Sequence, residues 1–199
     1  MAIHNINASA KQILWGNILL VICCIFYLAW WILAFKPSGA IKGIRTGWLL
    51  IPAFITGLAA IALVVKGLQS ETIGSTLFPG RYIIWGGIAA YFILLAVTGI
   101  FFKRPVTTEL LLIDGWTMLA LTEINVLYGM GLFPCTRAIL FAVVIGAAMV
   151  ISIVCYMLYY NLGSRAGYID GMIPLLLVAV IMSGISAMMV FQQLWHNQP

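Results

Sequence analysis

Two carboxylic acids, Asp114 and Glu123, lie well inside the mainly apolar stretch 107–129, whose third acid, Glu109, is close to its start. Each falls about five residues from the middle of that stretch, or about 7 Å along a helix rising about 1.5 Å per residue. In a hydrocarbon core about 30 Å thick, a charge at that depth costs several kcal/mol. Such acids therefore face a bundle interior, a partner or water, and carry a functional hypothesis by default. The chemistry open to them is proton uptake or contact with a polar solute. Nine residues separate them, about 900° of helical rotation, so they point to opposite faces and form no catalytic pair. Asp114 shares a stripe with Leu121 and Asn125, whereas Glu123 aligns with Trp116 and Glu109. The competing reading for both acids is structural, a carboxyl bonded to a hydroxyl or Arg of a neighbouring span.

Other polar groups sit in less demanding places. Glu109 and Asp170 lie near helix starts, where acids suit the positive end of the helix dipole; Asp170 also occupies the position equivalent to Asp114 in the repeat described below. Asn17, Asn125 and Thr122 are polar groups in apolar helices, the usual interhelical hydrogen-bond glue, and Asn17 and Asn125 are also candidates for a solute path. Trp15, Trp85, Trp195 and the Trp30-Trp31 pair fit interfacial aromatic belts, as do Tyr156, Tyr159 and Tyr160. Trp48 and Trp116 suit either a belt or a pore lining. Cys23, Cys24, Cys135 and Cys155 show no ligand spacing and read as small hydrophobes. With one histidine near each end, His4 and His196, no metal or cofactor site is expected. No nucleophile–base pair, phosphate-binding glycine loop or hydrolase motif is present, so no catalytic residue is assigned.

The elements that must hold these residues follow from composition. The 199 residues are 64% hydrophobic and 8% charged, against roughly 25% charged in soluble domains. Ten cationic and five acidic residues cannot coat a water-facing surface of this size. A soluble enzyme and a disordered chain are both excluded, and the scattered cations are unlike a nucleic-acid footprint. The reading is a single all-α integral membrane domain over residues 1–199, with spans at 12–35, 46–65, 81–102, 107–129, 136–160 and 167–191. The runs are too long and unalternated for barrel strands. The apolar run after Lys11 is too long for a cleavable signal.

Loops after spans 1, 3 and 5 carry Lys36, Lys42, Arg45, Lys103, Arg104 and Arg165; the other side carries Lys11, Lys66, Arg81 and Arg137. The positive-inside rule places the first set in the cytoplasm and both termini outside, in the plasma membrane of a prokaryote. Pro52 and Pro174, early in spans 2 and 6, are expected to kink or loosen their helices.

An internal repeat organises the chain. Ile13-Leu14-Trp15-Gly16-Asn17-Ile18 matches Ile83-Ile84-Trp85-Gly86-Gly87-Ile88, and Gly47-Trp48 matches Gly115-Trp116 and Gly171-Met172. Trp15 to Trp85 is 70 residues and Trp48 to Trp116 is 68. Three tandem hairpins result, 12–65, 81–129 and 136–191, which would surround a pseudo-threefold axis along the membrane normal. Parallel repeats of this kind recur in transporters, with solute sites where they meet. The small pairs Ala53/Gly57, Gly86/Ala90, Ala142/Gly146 and Ser183/Ala187 are expected at close helix contacts.

This layout resembles the acid-gated urea and amide channel family, and Gly115-Trp116 followed by Ile124-Asn125 is similar to a Gly-Trp…Ile-Asn stretch there, one residue longer. The acetate/succinate permeases are similar in layout, and Pro37 and Pro105 resemble the Pro before even helices in a hairpin-repeat acid-resistance family. The Asn-bearing motifs of the channels' odd helices and the Asn-Pro-Ala-Pro-Leu-Gly signature of the permeases are missing, so no functional residue carries over.

The resulting expectation is a small-solute channel or permease, possible proton linkage included, that works without a cofactor. Its path would be lined by Asp114, Glu123, Asn125 and Trp116, with Asp170 and Asn17 as further candidates. Its partners would be the bilayer, a small polar solute and further copies of itself. The alternatives are a non-transporting stress-response or assembly subunit, and a membrane enzyme on a lipid or quinone entered from beside Glu123.

Overall fold

A computed structural model describes residues 2–36, 46–69, 76–100, 108–159 and 161–196. Every element among them is helical: α1 (Ala2–Ala34), a 3-10 turn (Thr46–Leu49) leading into α2 (Leu50–Gln69), α3 (Gly80–Ile100), α4 (Thr108–Gly129), α5 (Cys135–Tyr159), α6 (Ser164–Asp170) and α7 (Ile173–His196). Six segments are long and apolar enough to cross a membrane: Ala8–Ala34, Thr46–Gln69, Gly80–Ile100, Glu109–Gly129, Cys135–Tyr159 and Ser164–Gln192. They match the six expected spans to within a few residues and fit an integral membrane protein. The chain divides within α5 into two compact units, one of residues 1–72 with 157–199, the other Ile73–Tyr156.

In the first unit, α1 and α2 form an antiparallel hairpin whose seam is made of small residues. On α2 the seam runs Ala53, Gly57, Ala60, Val64, Gly67, the three- and four-residue steps that keep one face of a helix. A Cβ at Gly16 would meet the Ala60 carbonyl and the Val64 nitrogen at 3.0 Å, and one at Gly67 would meet the Ser9 carbonyl at 3.0 Å. Backbones therefore touch, and dispersion between them replaces the hydrophobic drive that is missing between helices in lipid. Gly57 continues the seam against Cys23 Sγ.

Helix α7 also packs on α1. The sixth span, expected as one helix, is two. Pro174 has no N–H to give the carbonyl of Asp170 four residues back, so α6 stops and α7 starts anew after Gly171-Met172. Pro52 causes no such break, because it sits in the first turn of α2, where N–H groups lack helical partners anyway. The Trp31 ring lies against Gly171 where any Cβ would collide with it, and its indole N–H donates to the Tyr168 carbonyl at 3.1 Å. Phe35 and Tyr159 flank it at centroid distances of 4.5 and 5.9 Å. Trp31 is thus a packed anchor between the end of α1 and the end of α6.

In the second unit, α3 and α4 are antiparallel, with Gly87 receiving the Met118 side chain. A Cβ at the expected contact residue Gly86 would meet nothing within 4 Å among the described residues. The same helical phase holds in α1 and α3: Ile13 and Ile83 are buried, Trp15 and Trp85 are exposed, Asn17 and Gly87 are buried. Helix α4 ends in a Schellman motif, with Gly131 at φ 73° and Leu132 N–H donating to the Leu127 carbonyl at 3.0 Å. The chain then turns through the buried Phe133, which stacks on Phe141 at 5.5 Å, and Pro134 opens α5. Of the other expected small pairs, a Cβ at Gly146 would meet nothing within 4 Å among the described residues, and Ser183 and Ala187 are exposed.

The seam makes a direct prediction. Gly16→Leu should lower the thermal midpoint of the detergent-solubilised protein, since overpacking costs about 1–3 kcal/mol, whereas Gly86→Leu should leave it unchanged. Equal midpoints for the two variants would contradict the backbone contact.

Candidate functional site

Helix α4 differs from the other spans in two linked ways. It is the least apolar of the six, and half of it is buried, against 28% or less in the others. A helix surrounded by protein can carry polar groups that a lipid-facing one cannot. Its buried polar side chains are Asp114, Thr117, Glu123 and Asn125. From Glu123 to Leu127 five consecutive residues are buried, so the helix is enclosed on all sides at that level.

Each polar group on this helix solves the problem of burial differently. Thr117 and Thr122 donate to the carbonyls of Ile113 and Met118 in their own helix, both at 2.8 Å. This is the local back-bonding open to hydroxyls, so Thr122 binds its own helix rather than a neighbour. Thr98 on α3 does the same with Leu94. Asn125 reaches out of the helix: its Nδ2 donates to the Phe78 carbonyl at 2.8 Å, and its Oδ1 accepts from the Phe78 N–H at 3.0 Å. One amide thus satisfies both backbone groups of a residue just before α3, and clamps that segment to the end of α4. Phe78 escaped the sequence reading because its partner is 47 residues away and nothing in its own neighbourhood marks the pairing.

Asp114 has no such solution. It is 5% exposed, and among the described residues it makes no hydrogen bond or ion pair. Leu121, between Asp114 and Asn125 on the same stripe, is half-buried. On the opposite face Glu123 is fully buried, Trp116 is half-buried with its indole N–H lacking an acceptor among the described residues, and Glu109 is exposed. The two carboxyls of α4 therefore occupy separate environments, as their spacing requires.

The remaining candidates belong to the other unit. Asn17 is fully buried on α1. Asp170, expected at a helix start, is the last residue of α6, so its charge faces the unfavourable end of that short helix dipole. It is 8% exposed, and its Oδ2 has no hydrogen-bond partner among the described residues. Asp114, Trp116, Glu123 and Asn125 are thus carried by one helix of the second unit, and Asn17 and Asp170 by α1 and α6 of the first. No group of three His, Cys, Asp or Glu able to hold a metal occurs among the described residues. Tyr156, expected in a belt, is buried.

The clamp is testable. Asn125→Leu orphans both Phe78 backbone groups at about 1–3 kcal/mol each if they stay dry, so amide exchange at the start of α3 should accelerate and the thermal midpoint fall. Asn125→Asp keeps the acceptor and should fall between. Unchanged exchange over residues 78–84 in Asn125→Leu would refute the clamp. No family model, curated protein or solved structure matches this chain.

Proposed function

We propose that this chain is a membrane permease or channel for a small polar solute, with proton linkage through Asp114. The observation that carries the reading is a carboxyl buried in the least apolar span with no protein partner among the described residues. An ionised carboxylate in apolar surroundings costs several kcal/mol unless water, a cation or a donor reaches it. A carboxyl kept in such a place is suited to exchange a proton with a transient water path. Thr117, one turn further on the same face, and the half-buried Leu121 would continue the path toward Asn125. Three tandem hairpins around a pseudo-threefold axis, with both termini outside a prokaryotic plasma membrane, are the architecture this reading adopts; self-association would complete it.

A second reading has its own support. Asn125 is committed to Phe78, and the hydroxyls of Thr117 and Thr122 to their own helix, which suits a non-transporting module whose polar residues only hold helices together.

Reconstitution separates the two. Liposomes containing the protein should acidify under an inward proton gradient, followed by an internal pH dye, or shrink and reswell faster with urea or acetamide outside. Asp114→Asn should reduce the flux by about tenfold or more, the effect of losing a proton-transferring group, with the thermal midpoint retained. No flux of protons or of either solute would exclude transport of this kind, and unchanged flux in Asp114→Asn would remove Asp114 from the path.

A further inference from the structure

The break in the sixth span frees backbone oxygens beside a buried acid. Asp170 and Gly171 are consecutive, and neither of their carbonyls accepts a hydrogen bond among the described residues. Pro174 accounts for the first, having no N–H to offer the residue four before it. The second is passed over because α7 takes up its ladder one residue later, with Leu176 N–H donating to the Met172 carbonyl at 3.0 Å. The two carbonyls before them are engaged. That of Ile169 accepts from Met172 N–H at 3.0 Å, and that of Tyr168 from the Trp31 indole at 3.1 Å.

The acid at this joint is enclosed by protein. The face of α6 that carries Asp170 is the packed one: Gly167, one turn earlier, is buried with the Tyr159 ring beside it, and Gly171 lies against the Trp31 ring. Asp170 itself is 8% exposed, and its Oδ2 finds no donor among the described residues. Arg165 on the same helix is exposed and about 140° around it from Asp170. Lys11, Lys36 and Lys66 are exposed as well, and none of them pairs with it. The carboxylate also stands at the negative end of the α6 dipole, so two unfavourable fields add. No second acid occurs among the described residues of this unit.

We propose that the α6–α7 joint binds one alkali-metal cation, held by the Asp170 carboxylate and the free carbonyls of Asp170 and Gly171. Hard cations take oxygen ligands, and the C-terminal ends of half-helices with unwound carbonyls are where membrane proteins coordinate monovalent ones. One carboxylate balances one positive charge, whereas a divalent ion would leave a net charge in apolar surroundings. A cation here answers three oxygens and the helix end at once. The site belongs to the first unit and does not rest on proton linkage through Asp114.

Equilibrium dialysis of the purified full-length protein against radioactive sodium or rubidium, with ionic strength held by choline chloride, tests this. At least one tracer should saturate at one ion per chain, displaced by unlabelled sodium or potassium but not by magnesium. The same salt at about ten times its dissociation constant should raise the thermal midpoint by about 3–5 °C over choline. Asp170→Asn should abolish both effects. Pro174→Ala, which supplies a donor to the Asp170 carbonyl, should keep the fold and weaken binding by about tenfold, the worth of one ligand. Arg165→Gln, on the opposite side of α6, should change nothing. Absence of saturable binding of either tracer, displacement by magnesium as effective as by potassium, or undiminished binding in Asp170→Asn or Pro174→Ala would each overturn the proposal.

Discussion

Inside an apolar helix bundle a polar group has no water to return to, and the arrangement of this protein follows from where each such group finds its partner. An unmet amide or hydroxyl costs free energy comparable to several methylenes of burial. The hydroxyls of Thr56, Thr98, Thr117, Thr122 and Ser186 meet the condition within their own helices. They therefore impose nothing on tertiary structure. Asn125 and Trp31 cannot be satisfied that way, and each ties a distant segment of backbone in place. The carboxyls of Asp114 and Asp170 have neither kind of solution among the described residues.

Close backbone approach is the second determinant, and it serves the same end by a different route. The α1–α2 hairpin places glycines and alanines along its seam, so main chains approach closely and the buried Ile13 and Val64 side chains pack against the glycines of the facing helix. Bulkier apolar side chains are turned outward, as with Phe54, Ile55 and Leu58 on α2. That inversion of the soluble pattern is expected where the surroundings are as apolar as the interior.

Much of the architecture was legible because span length and apolarity are properties of contiguous residues. Six segments emerge from hydropathy and loop chemistry alone, and the helix faces of Asp114 and Glu123 follow from their spacing. The departures arise where the deciding partner is remote or the decisive atom is missing. Gly86 and Gly87 are indistinguishable until Met118 takes one of them. The partners of the Trp31 indole stay hidden until Tyr168 and Gly171 are brought beside it. The break in the sixth span was half visible, since Pro174 signals a loosened helix, but the signal lies in a proton that Pro does not have. Its consequence falls on Asp170, four residues upstream. Of the candidate residues, the sequence located the helix that carries four of them but could not reveal that Asn125 already has an occupant for its amide.

The joint between α6 and α7 has a mechanical corollary. Helix α7 has 24 residues, about 36 Å of rise, enough to traverse a bilayer core by itself. The seven residues of α6 are therefore surplus to the crossing. The Trp31 indole, near the end of α1, holds that short arm at its last turn through Tyr168 and Gly171, so the segment bearing Asp170 is moored to α1 as well as joined to α7.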